Sequence, residues 1–207
     1  MDGIEITWLG HGSFRMRTPE GRIIYLDPWI EGNPACPISL DEVRAADIVC
    51  VTHGHDDHLG DSLEIVEQTE ATLVSLPEIC IYASRHGIEY DKGGRAIHIR
   101  GTTRVQEVEI TAVSAAHSSD ILGVEFAGEG RVMASSGCCG FVIRTPDGSC
   151  LYFSGDTGVF QGHGALSRTG SSAGCIALKW QCCPSGANTP WGCGRRPTLR
   201  ASSHRRW

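Results

Sequence analysis

Long apolar runs are missing from this 207-residue chain, and none approaches the roughly 18 residues that a membrane-spanning helix requires. The opening stretch, MDGIEITWLG, has neither a basic leader nor the apolar core of a secretion signal, so the expected compartment is the cytoplasm. Ten cysteines are present, yet no two stand in a C-x-x-C pair, which argues against a cysteine zinc site. A disulfide framework belongs to short secreted chains, and Cys50, Cys80 and Cys150 instead fall within apolar runs, where cysteine acts as a small buried hydrophobe.

Acidic residues are absent from the last part of the chain. All 24 lie before Gln161 together with 11 of the 18 basic ones, so that part carries 11 − 24 = −13, while the remainder carries 18 − 11 = +7. The remainder also holds only Leu166, Ile176, Leu178 and Leu199 of the Val/Ile/Leu/Met/Phe type, too few to build strands or an amphipathic helix. The expected organisation is one domain over residues 1–160 followed by a basic tail over 161–207, disordered or encoded out of frame. The net charge of −6 and a mean hydropathy of −0.12 fit a soluble globular protein.

What is present in the first part is a succession of strands punctuated by turns. Ile4 to Leu9, Ser13 to Thr18 and Arg22 to Asp27 read as a β-meander, and Asp47 to Thr52 as a continuous apolar strand. A short helix after Leu63, a strand at ATLVS and a helix opened by Pro77 follow, with further strands at Val108 to Ala115 and at LYFSG. One internal echo stands out: FRMRTPEGRIIYLD from Phe14 and FVIRTPDGSCLYFS from Phe141 align without a gap. The echo points to a duplicated β-unit, with two similar sheets facing one another and a loop aspartate, Asp27 or Asp156, after each; a hairpin shared by chance is the alternative.

The richest chemistry lies in VTHGHDDHLGD, where three histidines and three aspartates share eleven residues. His53 and His55 stand two apart just after a strand, so in extended backbone their imidazoles leave on the same side. Asp57 and His58 occupy the turn beyond and point toward a second ion. Imidazoles together with carboxylates form the mixed nitrogen and oxygen set that suits zinc, with manganese or iron as alternatives.

HGHDDH resembles the signature of the metallo-β-lactamase superfamily, and WLGHGSF, LDPWIEGNP, AAHSSD and SGDTG match the family in the same order, over residues 4 to about 160. The branch it is similar to is that of small hydrolases near the ascorbate-phosphate lactonases. The resemblance implies an α/β fold, an αββα sandwich whose second half is incomplete here, with a divalent metal site holding up to two ions at one edge of the sheets. It implies that His53, His55 and His117 hold the first ion, Asp57 and His58 the second, and that Asp156 bridges them. Asp27 would orient a metal-bound imidazole, with a strand-end cap before Pro28 as the alternative. Asp57 would also serve catalysis by orienting the nucleophile, and His11 would contact substrate at the mouth of the site. Trp29 and residues 118–140 would wall the pocket, with plain surface loops as the alternative.

The implied activity is metal-assisted hydrolysis of a small molecule: a lactone, an ester or a phosphodiester. The family's later loop and late histidine are not found in this chain, and neither His163 nor His204 has the surroundings of a ligand. Residues 179–192 and 162–170 can be back-translated so that shifted reading frames yield the family's missing segments, which would make the tail a frameshift product. On this reading one ion is held firmly, through His53, His55, His117 and Asp156. An inactive metal-binding remnant is the first alternative. A nucleic-acid binder using the basic tail with Trp180, Trp191 and Trp207 is the second and weakest. No oligomeric state follows.

Overall fold

A computed structural model describes residues 3–121, 133–134, 137–158 and 176–180. The chain opens as the expected meander: β1 (Glu5–Trp8), β2 (Phe14–Arg17) and β3 (Ile23–Leu26) pair antiparallel in sequence order. Beyond a long loop, β4 (Ile48–Cys50), β5 (Thr72–Ser75) and β6 (Gly94–Ala96) are added in parallel, completing a six-stranded sheet. Parallel neighbours need crossovers. These contain α1 (Asp56–Leu59) and α2 (Ser62–Thr69) between β4 and β5, and α3 (Pro77–Arg85) between β5 and β6. Proline opens α3 because the first turn of a helix has no use for its missing N–H.

The second sheet is built from β7 (Thr102–Val105), β8 (Val108–Ser114) and three later strands, after a small pair, β9 (Asp120–Ile121) and β10 (Met133–Ala134). Those later strands are β11 (Cys139–Arg144), β12 (Cys150–Asp156) and β13 (Ile176–Trp180), and the order is β13-β12-β11-β8-β7. β13 corrects the expectation that nothing beyond residue 161 forms a strand. It lies parallel to β12, which is buried along its whole length and needs hydrogen-bond partners on both sides, and Leu178 supplies the buried contact. β6 and β7 escape a reading by alternation, since β6 is only Gly-Arg-Ala and β7 buries one residue, Val105.

The sheets pack face to face through alternate residues of facing strands. Phe14, Met16, Ile24 and Leu26 meet Phe141, Ile143, Leu151 and Phe153, all nearly or wholly inaccessible. The rings of Phe14 and Phe153 sit edge to face, 5.9 Å apart. The other side of the first sheet, with Tyr25, Val49 and Leu73, is covered by Ile65 of α2 and by Ile79 and Tyr82 of α3. Among the described residues helices cover this sheet only; the outer face of the second carries Val113, Val142, Cys150 and Tyr152. Cys50 and Cys80 are buried free thiols as expected, whereas buried Cys150 is disulfide-bonded. No described helix is long and apolar enough to cross a membrane.

The internal echo is matched in space. Phe14 pairs with Leu26 and Arg17 with Ile23 in one hairpin; Phe141 pairs with Phe153 and Arg144 with Cys150 in the other, at the same spacings. The turns close with the same bonds, Gly21 N to Thr18 O and Gly148 N to Thr145 O, both 2.9 Å. One hairpin lies in each sheet, and their turns touch where the Asp147 amide donates to Glu20 at 3.1 Å.

Candidate metal centre

At the ends opposite those turns, the two hairpins deliver Asp27 and Asp156 to the two sides of one imidazole. His58, carried by α1, lies with Nδ1 2.8 Å from Asp27 and Nε2 3.4 Å from Asp156. Asp27 is fully buried and also accepts from the Thr52 amide and hydroxyl, each at 2.7 Å, which ties it to the end of the β4 segment that carries His53. Gly155 lets the Asp156 strand approach that segment, since a Cβ there would stand 2.7 Å from the Thr52 side chain. Beneath the site, the buried thiols of Cys138 and Cys139 donate to the carbonyls of Asp156 and Thr52.

The hydrogen bonds fix where the protons are. Thr52 gives its hydroxyl hydrogen to Asp27, so toward His53, 2.9 Å away, it can only accept; His53 therefore carries its proton on Nδ1 and a lone pair on Nε2. His55 Nε2 lies 2.9 Å from Asp120, and a carboxylate only accepts, so the His55 lone pair is on Nδ1. Nε2 of His53 and Nδ1 of His55 are 3.0 Å apart. With both rings neutral, two lone pairs face each other there, an arrangement that a cation, a proton or a metal ion, relieves. Burial, with His58 and His55 nearby, pushes the His53 pKa down to about 2, which keeps that ring an acceptor.

His58 shows the same demand differently. Burial disfavours its charged form, but hydrogen bonds and attraction from Asp156 and Asp27 outweigh burial and push its pKa up to about 10. Its Nε2 is shielded from solvent and makes no hydrogen bond of ordinary geometry with any described residue, so a proton or a metal ion must sit between it and Asp156. Donors about 2.0–2.2 Å from a tetrahedral ion stand roughly 3.3–3.6 Å from one another. The spacings here run from the 3.0 Å of His53 and His55, through the 3.4 Å of His58 and Asp156, to 3.7 Å between His117 Nε2 and the other oxygen of Asp156. The residues fit a divalent ion.

All six expected ligands are gathered here. His53, His55 and His117 place one ligand atom each within 4.8 Å of one another, and so do His11, Asp57 and His58. Asp57 lies 3.1 Å from His11 Nε2; that contact outweighs burial and holds the carboxylate down to about 2. Trp29 stands edge-on to His11, with 5.6 Å between ring centroids. Asp120, which grips His55, was missed by the sequence reading, although it sits three residues after His117 in the AAHSSD stretch. The packing of its segment on Gly54, where the Gly54 amide donates to the Ser119 hydroxyl at 3.2 Å, brings it beside His55. His163 and His204, together with Trp191 and Trp207, lie outside the described residues.

A family model described as a β-lactamase superfamily domain matches residues 22–176. The chain belongs to that superfamily. This β-lactamase superfamily chain is 37% identical over 164 residues to a UPF0173 metal-dependent hydrolase of Koribacter versatilis, and 42% identical over 156 residues to one of Methanopyrus kandleri. The matches cover 77% and 75% of this chain but 65% and 63% of those proteins, so the chain spans a little under two thirds of their length. In structure it is similar to Igni18, a metallo hydrolase of Ignicoccus hospitalis, with a TM-score of 0.65, 28% identity and coverage of 80% of this chain and 66% of that one. The fold expected from the motifs, the metallo-β-lactamase sandwich, is the one observed.

Proposed function

We propose that this chain forms the metal-binding part of a hydrolase that acts on a small-molecule lactone, ester or phosphodiester in the cytoplasm. The facing lone pairs of His53 and His55, beside a carboxylate that reaches both His117 and His58, carry this reading. His53, His55, His117 and Asp156 would hold one ion, with Asp57 and His58 on the far side of Asp156. The nitrogen-rich donor set favours zinc, with manganese or iron as alternatives. A divalent ion bound there supplies Lewis acidity and brings the pKa of water from about 15.7 toward about 7. Asp57, ionised and held by His11, presents an acceptor that orients a water proton. Asp27 and Asp120 fix the rings of His58 and His55.

The relatives of Koribacter and Methanopyrus, named metal-dependent hydrolases, support the reaction class. The test is turnover of a panel of simple lactones and aryl phosphodiesters. Activity that vanishes with chelator, returns with zinc and is lost in His55→Ala supports the proposal; turnover untouched by chelator refutes it. A metal-binding remnant without activity is the second reading, favoured by helices covering one sheet only among the described residues; it predicts bound zinc and no turnover on any member of the panel.

A further inference from the structure

We propose that His11 is a metal ligand, completing a second cation site with Asp57 and His58, a role beyond the substrate contact expected of it. The inference rests on the metal-dependent reading above. Nε2 of His11 stands 3.1 Å from Asp57, close to the spacing of two donors on one tetrahedral ion, and its ring lies edge-on to His58 at 5.4 Å between centroids. The loop that carries it is built for this approach. His11 holds a left-handed backbone at φ 46°, uncommon for a residue with a side chain, and its carbonyl is tied by the indole N–H of Trp8 at 2.9 Å. Gly12 packs directly on His58, where a Cβ would come within 2.8 Å of Cε1.

The same three side chains explain each other chemically. Nε2 of His11 lies 3.1 Å from a carboxylate oxygen of Asp57. A divalent ion there would take one donor atom from each of the three residues. Donors for a second ion are therefore drawn from the first sixty residues and do not depend on a late histidine.

The test is zinc titration of the full chain after chelator stripping, with bound zinc counted by elemental analysis and the sites resolved by cobalt(II) absorption. The wild type is expected to take up two ions. His11→Ala should retain the first and lose affinity for the second by more than about 100-fold, beyond the roughly 10–100-fold cost of losing an outer contact. Asp57→Asn should weaken the same ion, and unchanged circular dichroism and thermal unfolding show that each variant is folded. His11→Gln guards against collapse of the loop in the alanine variant and should show the same selective loss. Two ions held by His11→Ala with wild-type affinity overturn the inference alone, as does a wild type that takes up one ion. A wild type that binds no metal overturns both the inference and the metal-dependent reading.

Discussion

The β2–β3 and β11–β12 hairpins share register, turn bonds and inward-facing residues, yet they end differently. In the first, the carboxylate follows the strand at once. Asp27 sits in a left-handed conformation at φ 46°, sealed from solvent, with both oxygens committed to Thr52 and His58. In the second, β12 runs on through a register shift against β13, so that Asp156 arrives later, with one oxygen toward His58 and the other toward His117. One hairpin thus ends in a carboxylate that holds a single imidazole, and the other in a carboxylate placed between two. The difference shows how two hairpins of the same register come to play different parts when the aspartate moves along the chain.

If the hairpins are equivalent in the core, Phe14→Ala and Phe153→Ala should each cost about 3–5 kcal/mol in chemical denaturation. The double variant should fall short of their sum, because the two rings touch. Strictly additive losses would break the equivalence. At the site the equivalence should fail. Asp156→Ala is expected to lower zinc affinity by more than about 100-fold, whereas Asp27→Asn, which keeps the packing but loosens His58, should cost roughly 10–100-fold. Equal losses in chelator competition would erase the distinction between them.

A smaller effect tests the turns. Gly21 and Gly148 have φ of 91° and 87°, with open space where a Cβ would go, so alanine at either should destabilise by about 1–2 kcal/mol through backbone strain alone. A difference well above that between them would mean that the turns are not interchangeable. The smallest concerns Asp147 at the second turn, whose carboxyl is held below the ordinary range by the Thr145 hydroxyl and the Ser149 amide and hydroxyl. A lowered folded value means that its contribution is present above the unfolded pKa, about 3.9, and is lost as pH falls through the folded one. Carboxyl NMR should therefore show Asp147 titrating below 3.9; a midpoint at or above that value would remove the turn's grip.

Much of the site was legible from local pattern. His53 and His55 converge because a period of two in extended backbone sends both rings the same way, and His58 and Asp57 diverge because they lie in α1. The meander, the crossover helices and the hairpin echo follow from alternation, proline placement and turn residues. The illegible parts share one cause: they depend on neighbours distant in sequence. β13 exists because β12 needs an outer partner, and Asp120 matters because β9 brings it to His55.

Sequence alone determined the kinds of donor atoms, their grouping and the superfamily, since these rest on residue identity and short spacing. Tertiary structure decided which nitrogen of each imidazole is left bare, that Asp27 and Asp156 grip one ring from two sheets, and that His11 reaches Asp57. A proton's position depends on the partner across the gap, and the fold alone selects that partner.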